Sequence, residues 1–463
     1  MKTNTAVSIG NLALIEKVDG EFKFFSRLFK NLGGRAKNLT SSAKLFFYNR
    51  LSDCFSTNRL RSGYQPELFD LLKFPKLPGD RTLYRDLARL GKNHQFILNN
   101  YQTIISEENL VTDKQFIDFS SSYFEGKAAA FGEYGYSRDH RPDKKQLTFG
   151  ISTGINGIPS ALTIQKGNVQ DKAHFRFMLK TCGAVLKENS LLIFDTGGNT
   201  KDNKRLIREK KFHYLTLKSK KVGPYKKAIE QYRKEIKTYF VINNTEYSCV
   251  KTSSNEETNY LFFCEDLKQN QLAIKERSFR RILEKNKSIL KKTKAGKTIN
   301  ELITEEGIVT TKGSLQKTLA EIENPKINGL EGFFILESSL DIEPERALAL
   351  YKDKDKAEKL FRNIKEGTEL RPMRHWSKDA IIGYILVIFL TNFLINLTLL
   401  RVSNPVVKNV KLLKKYLSKL TLVIIYPPSG FKFCVLANVS QEISSILGDF
   451  IKKYRDKTLP LRW

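Results

Sequence analysis

The sequence predicts an α/β protein: a mixed sheet with helices, interrupted by a basic insertion and preceded by a helical domain. Three observations carry this reading. Between Gln115 and Lys218, short strand-like runs alternate with a stretch of helical periodicity. From about Ser219 to Glu345 the character changes to lysine runs mixed with a strand pair. Helical periodicity then resumes, first in an amphipathic stretch and next in a long uncharged one.

Bulk properties limit the function classes. The chain has 463 residues, 41% hydrophobic and 11% aromatic, enough to bury a sizeable core and too apolar for a disordered chain. Lys and Arg total 79 against 49 Asp and Glu, a net charge of +30, which points to a polyanionic partner such as nucleic acid or an anionic membrane. The cysteines (Cys54, Cys182, Cys249, Cys264, Cys434) never form a C-x-x-C pair and the histidines are scattered, so a structural zinc site is disfavoured. That pattern fits a reducing cytoplasm, and the N-terminal stretch lacks the pattern of a signal peptide. "AIIGYILVIFLTNFLINLTLL", Ala380 to Leu400, is long enough to span a bilayer. Its Thr391, Asn392, Asn396 and Thr398 favour a buried core helix instead, and no membrane is expected.

Residues 1–105 read as a helical, basic, DNA-binding region. In "DRTLYRDLARLGKNHQFILNNYQTII" Asp80 is a plausible N-cap, and Leu83, Leu87 and Leu90 share one face. Arg81, Arg85 and Arg89 share another, either as a solvated surface or, as read here, to meet DNA phosphates. Residues 106–218 then give "QFIDFSS", "KQLTFGIST" and "GIPSALTIQKGN" as three strands, and an amphipathic helix over "DKAHFRFMLKTCGAVLKEN". The buried strand "LLIF" and the strand "FHYLTLK" follow. Three strands, a helix, a strand, a helix and a strand is the order of an RNase H-like sheet. Residues 219–345 form an inserted, basic, β-rich module. Residues 346–400 complete the core, and 401–463 are a small C-terminal region to which no chemistry is assigned.

Two carboxylates stand out in that order. Asp118 sits within the first strand and Asp195 ends the fourth, followed after Thr196 by Gly197 and Gly198 in "LLIFDTGGN". An aspartate there is a turn-former, a helix cap or a metal ligand at the mouth of a sheet. In an RNase H-like sheet these strands are central neighbours, so the two acids would converge. A third acid is offered by "YKDKDKAEKLFRNIK". At about 100° per residue, Tyr351, Lys354, Glu358 and Lys365 fall in one narrow arc beside an apolar one. The same stripe reads equally as a solvated face with i, i+4 pairing, and Asp355 and Glu366 are alternatives to Glu358.

Tyr351, Lys354, Glu358 and Lys365 at these spacings resemble the Y-(2)-R-(3)-E-(6)-K signature of DDE transposases of bacterial and archaeal insertion sequences. "IDFSSSYFEG" with "YGYSRDHRPDKKQLTFGIST", "IFDTGGNTKDN" and "ELRPMRHWSKDAIIGYILVIFL" resemble the flanking blocks of that group, from about Arg81 to Leu400. The resemblance implies that Asp118, Asp195 and Glu358 bind two Mg²⁺ ions, for which Mn²⁺ can substitute. It also implies cutting at terminal inverted repeats and joining of the 3′-OH ends to target DNA. Lys354 and Lys365 would grip a phosphate, with Tyr351 at the same end. Implied partners are double-stranded DNA and a second copy of the chain on that DNA, in the cytoplasm at the nucleoid. Two departures stand out. Lys354 replaces the signature's arginine and loses its planar fork, and both tryptophans, Trp376 and Trp463, lie outside the inserted module. Arg138, Asp139, Arg141, Asn168 and Asp171 fall in the resembling blocks, where hairpin and loop structure explains them as well as function does. The competing readings are a catalytically silent, transposase-derived DNA-binding protein, an unrelated Mg²⁺ nuclease on the same fold, and a membrane protein built round Ala380–Leu400.

Overall fold

The computed structural model describes residues 4–32, 36–126, 129–254, 256–294, 301–303, 308–310, 327–402, 404–426 and 433–455. The chain divides into two compact units, one of Met1–His213 with Asp353–Trp463 and the other of Tyr214–Lys352.

The first unit opens with β1 (Thr5–Ser8), α1 (Gly10–Phe22), α2 (Ala36–Leu51), α3 (Asp80–Lys92) and α4 (His94–Glu107). Helix α3 is two-faced: Leu83, Leu87 and Leu90 are buried, whereas Arg81 and Arg85 are exposed. Asp80 is its first helical residue rather than its cap; Gly79 takes the cap position, where it has no side chain to offer. Then come β2 (Lys114–Tyr123), β3 (Gln146–Gly154), β4 (Pro159–Lys166), α5 (Asp171–Cys182), β5 (Leu191–Phe194) and α6 (Lys201–Glu209). The strand order is β4-β3-β2-β5. Strand β2 pairs antiparallel with β3 and parallel with β5, so the sheet is mixed. Directly paired residues share a face. Asp118 pairs with Ile151 and Ser120 with Phe149, which puts these four on one side. Phe119 points to the other, against Phe175 and His174 of α5, with ring centroids 6.3 and 4.8 Å away.

The second unit comprises β6 (His213–Leu217) from its second residue on, α7 (Val222–Lys234), β7 (Thr238–Ile242), β8 (Thr245–Ser253), β9 (Thr258–Phe263) and α8 (Glu265–Lys294). The hairpin β10 (Leu302–Ile303) and β11 (Ile308–Val309), then β12 (Phe333–Ser338) and α9 (Pro344–Lys352), complete it. The order β6-β12-β9-β8-β7 is antiparallel throughout. It has its own core, in which Tyr225, Ile229 and Tyr232 of α7 meet Val250, Leu261 and Ile335. The module is less β-rich than its sequence reads, because the 30-residue α8 accounts for much of it. Lysines dilute the apolar residues of that helix and mask its periodicity.

The chain returns to the first unit with α10 (Asp355–Arg362), a π-helical turn (Asn363–Gly367), α11 (Lys378–Arg401), α12 (Val410–Leu417), β13 (Thr421–Ile425) and β14 (Phe433–Ala437). The expected single helix from Tyr351 to Lys365 is broken: α9 stops at Lys352, Asp353 and Lys354 form a turn, and Lys365 lies in the π turn. Strand β1 pairs antiparallel with β13, so the N- and C-terminal regions, read as separate, build one small sheet.

Helix α11 is the uncharged stretch noted in the sequence. It is long and apolar enough to cross a membrane, and the structure buries 89% of its most apolar window inside this unit. Its two threonines are satisfied within the helix, and Asn396 outside it. Thr391 and Thr398 bond the carbonyls of Val387 and Leu394 at 2.8 and 2.7 Å, and the Asn396 amide reaches the Gly157 carbonyl at 3.0 Å.

Candidate active site

The parallel pairing of β2 with β5 aligns Ile117 with Phe194. The next residue on each strand is an aspartate, so Asp118 and Asp195 stand side by side on one face. On that face Phe361 of α10 packs at 5.5 Å from Phe149. Helix α10 is held there by Ala357, Leu360 and Phe361, all buried. Beside that buried face the helix carries Glu358, whose side chain is 58% exposed.

Lys354 joins these acids. Its side chain is buried, and its ammonium lies 3.3 Å from Asp195 Oδ2 and 3.9 Å from Glu358 Oε1. Asp118 is part of the same electrostatic group. Burial pushes its carboxyl above the usual carboxylate range and the neighbouring Asp195 adds to this, while Lys354, the Phe119 N–H and Arg138 oppose it. Asp118 Oδ1 accepts from Phe119 N at 2.9 Å, and Asp195 Oδ1 from Thr196 N at 2.7 Å. Each carboxylate is thus held by the backbone N–H of the residue that follows it.

A second layer surrounds them. Arg138 donates to Asp171 Oδ1 at 2.6 Å, and its backbone N–H is tied to Ser121 Oγ at 3.1 Å. Asp171 fills the space above Gly197, where an added Cβ would come within 2.8 Å of Asp171 Oδ2. At Gly198 a Cβ would strike Phe175 and Phe194 at 2.8 and 2.9 Å. The two glycines after Asp195 therefore leave room for this ion pair and for the ring packing that supports β5. His174 is buried between Thr163 Oγ1 at 2.9 Å and Thr148 Oγ1 at 3.4 Å, and burial drives its pKa down to about 3. It is a neutral core residue and takes no part in proton transfer near neutral pH.

The other residues singled out in the sequence fall elsewhere. Lys365 is engaged by Asp139 at 2.7 Å, and Arg371 reaches the same carboxylate oxygen at 2.8 Å. With Asp139 almost wholly buried, Lys365 here clamps a loop rather than presenting a free ammonium to phosphate. Tyr351 lies in the last turn of α9, in the second unit. Arg81 and Arg85 face solvent, but Arg89 is half-buried and donates to the Leu32 carbonyl at 3.5 Å. Arg138, Asp139 and Asp171 were legible only as members of a resembling block, because nothing local in "YGYSRDHRPDKK" names their distant partners.

The donor set can be weighed for a divalent cation. Asp118 and Asp195 offer hard oxygens from rigid neighbouring strands, which suits Mg²⁺ or Mn²⁺. Lys354 neutralises the negative charge gathered there. Among the described residues no three His, Cys, Asp or Glu side chains converge closely enough to enclose an ion. For Glu358 to join the two aspartates as a third donor, the Lys354 ammonium would have to swing aside. Lys354→Met is therefore expected to cost about 1 kcal/mol of stability in EDTA, read as a lower melting midpoint, since its partners are half exposed. Addition of Mn²⁺ should then stabilise the variant more than it stabilises wild type. Equal Mn²⁺ effects on the two proteins would place the cation site elsewhere.

No family model matches the sequence, and no curated protein matches it. Among solved structures the chain is similar to a piggyBac transposase in its synaptic complex with hairpin DNA. The identity is 10% and the TM-score 0.44, covering 99% of this chain and 89% of that one.

Proposed function

We propose that the chain is a DDE-type DNA transposase on an RNase H-like core. It cuts transposon ends at terminal inverted repeats and joins the freed 3′-OH ends to target DNA by in-line phosphoryl transfer. The observation that carries this reading is the side-by-side placement of Asp118 and Asp195, with Glu358 linked to Asp195 through Lys354. The net charge of +30 supports double-stranded DNA as the partner. A dimer on DNA, as paired-end cutting suggests, at the nucleoid belongs to the same reading.

In this reading Asp118 and Asp195 hold Mg²⁺, or Mn²⁺ in its place, with Glu358 completing the set. When bound, such ions polarise phosphate oxygens and stabilise the charge that develops on them. The chain's own residues do the positioning. Strands β2 and β5 fix the two aspartates, Lys354 neutralises the acids before a substrate is present, and an arriving phosphate offers its ammonium a competing anion. Arg138 keeps Asp171 clear of the acids. No protein nucleophile is needed, because water and the DNA 3′-OH serve in turn.

The position of Lys354 between Asp195 and Glu358 also favours a second reading, a chain that holds DNA without cutting it. Linear DNA carrying the gene's own flanking sequences separates the two. Wild type with Mg²⁺ is expected to nick at the inverted repeats, and Glu358→Gln to bind the same DNA without nicking. Binding without cutting by both proteins would favour the silent reading. Unimpaired cutting by Glu358→Gln would move the third acid to Asp355 or Glu366.

A further inference from the structure

A second polar site lies in the first unit, lined by none of the three acids. A cavity of about 340 Å³ is lined by the end of α2, Tyr84 of α3, the segment before α11, and Tyr384 within it. Its charge is lopsided. Arg50, Arg371 and Arg374 line it against one carboxylate, Glu369. Arg50 is buried, yet all its hydrogen-bond partners are neutral oxygens: the Phe55 carbonyl at 2.6 Å, the Tyr384 hydroxyl at 2.9 Å and the Thr368 carbonyl at 3.3 Å. Lys414 adds a further ammonium behind it, bonded to the carbonyls of Arg50 at 3.0 Å and Gly367 at 2.9 Å. Among the described residues neither Arg50, Arg374 nor Lys414 has a carboxylate within ion-pair distance. Of these three only Arg50 is buried; a buried cation is ordinarily paired, so this cavity is built for an anion that comes from outside.

Aromatic rings accompany the charge. His375 is turned inward between Tyr84 and Tyr384, with centroids 6.0 and 4.8 Å away. The next residue, Trp376, is 70% exposed, as an indole seldom is without a partner. Trp376 is not on a loose loop. Its carbonyl accepts from Ala130 N at 2.9 Å. Three residues earlier, Met373 is bonded through both backbone groups to Tyr123 and Glu125 at the end of β2. Strand β2 also carries Asp118. An exposed ring on a pinned backbone, next to unpaired guanidinium groups, is the combination that holds single-stranded nucleic acid: charge for the phosphate, a flat face for the base.

We propose that the Arg50–Arg374 cavity binds the phosphate of an unpaired DNA strand and that Trp376 stacks on an adjacent base. The inference deepens the transposase reading and rests on it, since separated or displaced strands arise where a duplex end is opened for cutting. Exposed Arg81 and Arg85 flank Tyr84 on α3 and extend the positive surface beside the cavity.

The chain has only two tryptophans, Trp376 and Trp463, so full-length Trp463→Phe reports from Trp376 alone. Oligo-dT is expected to quench that fluorescence, and a blunt duplex of equal length to quench it far less. Trp376→Ala and Arg374→Ala should each weaken binding of a duplex with a splayed end about tenfold, with Trp376→Phe retaining most of the affinity. Both altered residues are exposed, so unchanged melting curves are expected and exclude misfolding. Absence of quenching, or equal weakening of blunt and splayed duplexes, overturns the proposal. Binding and cutting of blunt duplex with no effect of Trp376→Ala on any DNA removes this site alone. Failure of wild type to bind any DNA removes the transposase reading with it.

Discussion

Asp118→Asn is expected to abolish DNA cutting, by roughly a thousandfold or more, while making the folded protein more stable at neutral pH. The carboxyl is held above its usual range chiefly by burial, so the folded state binds the proton more tightly than the unfolded state does. Such a group penalises folding wherever it is ionised. The penalty is full above the raised pKa and vanishes below the unfolded range near 3.9. Asparagine removes it, and its side-chain oxygen can still accept from Phe119 N, as Asp118 Oδ1 does at 2.9 Å. A gain in stability at pH 7 to 8 that shrinks as the pH falls through the raised pKa, and is gone below about 4, is the expected result of chemical denaturation followed across pH. Mg²⁺ should stabilise wild type and leave the variant unmoved. If Asp118→Asn destabilises at every pH, the aspartate is a structural partner of Lys354, and its assignment as a metal ligand fails.

The parts of this site that were legible in the sequence are those set by local periodicity. Leu147, Phe149 and Ile151 alternate with small or polar residues, and they form β3. All nine residues of that strand are buried, so the alternation separates large side chains from small ones rather than core from solvent. Asp195 was legible because a short apolar strand ends on it and two glycines follow. What escaped notice depends on partners far along the chain. Lys365 lies on the same helical arc as Glu358, yet its ammonium goes to Asp139, 226 residues away. Nor does helical periodicity register the turn at Asp353 and Lys354, because the apolar spacing runs through it unbroken. That turn is what carries Lys354 under the acids instead of leaving it on an exposed stripe. The pairing of Val7 with Leu422 is equally silent in the sequence, since neither four-residue neighbourhood differs from an ordinary edge strand.

Replacement of Gly383 by valine is expected to cost about 3 kcal/mol or more of stability, the upper end for overpacking, although the residue touches no catalytic group. Helices α3 and α11 meet backbone to backbone. A Cβ on Gly383 would lie 2.0 Å from the Leu87 carbonyl oxygen, and one on Gly91 1.7 Å from that of Asp379. The obstacles are main-chain atoms inside helices, which cannot turn aside as a flexible side chain can. The helices must separate, and Leu83, Leu87 and Leu90 would lose their contact with the core. Helix α11 is the long apolar helix at the centre of this unit, so the damage should appear as a lower urea midpoint for the unit as a whole. Gly91→Ala and Gly383→Ala should each destabilise, and the double variant by less than their sum, because helices already pushed apart by one methyl accommodate the second. Strict additivity of the two would mean that the glycines act independently through helix propensity, about 1 kcal/mol each in favour of alanine. The sign then decides between the two accounts: propensity alone predicts that both alanine variants are more stable than wild type, and close backbone contact predicts that both are less so.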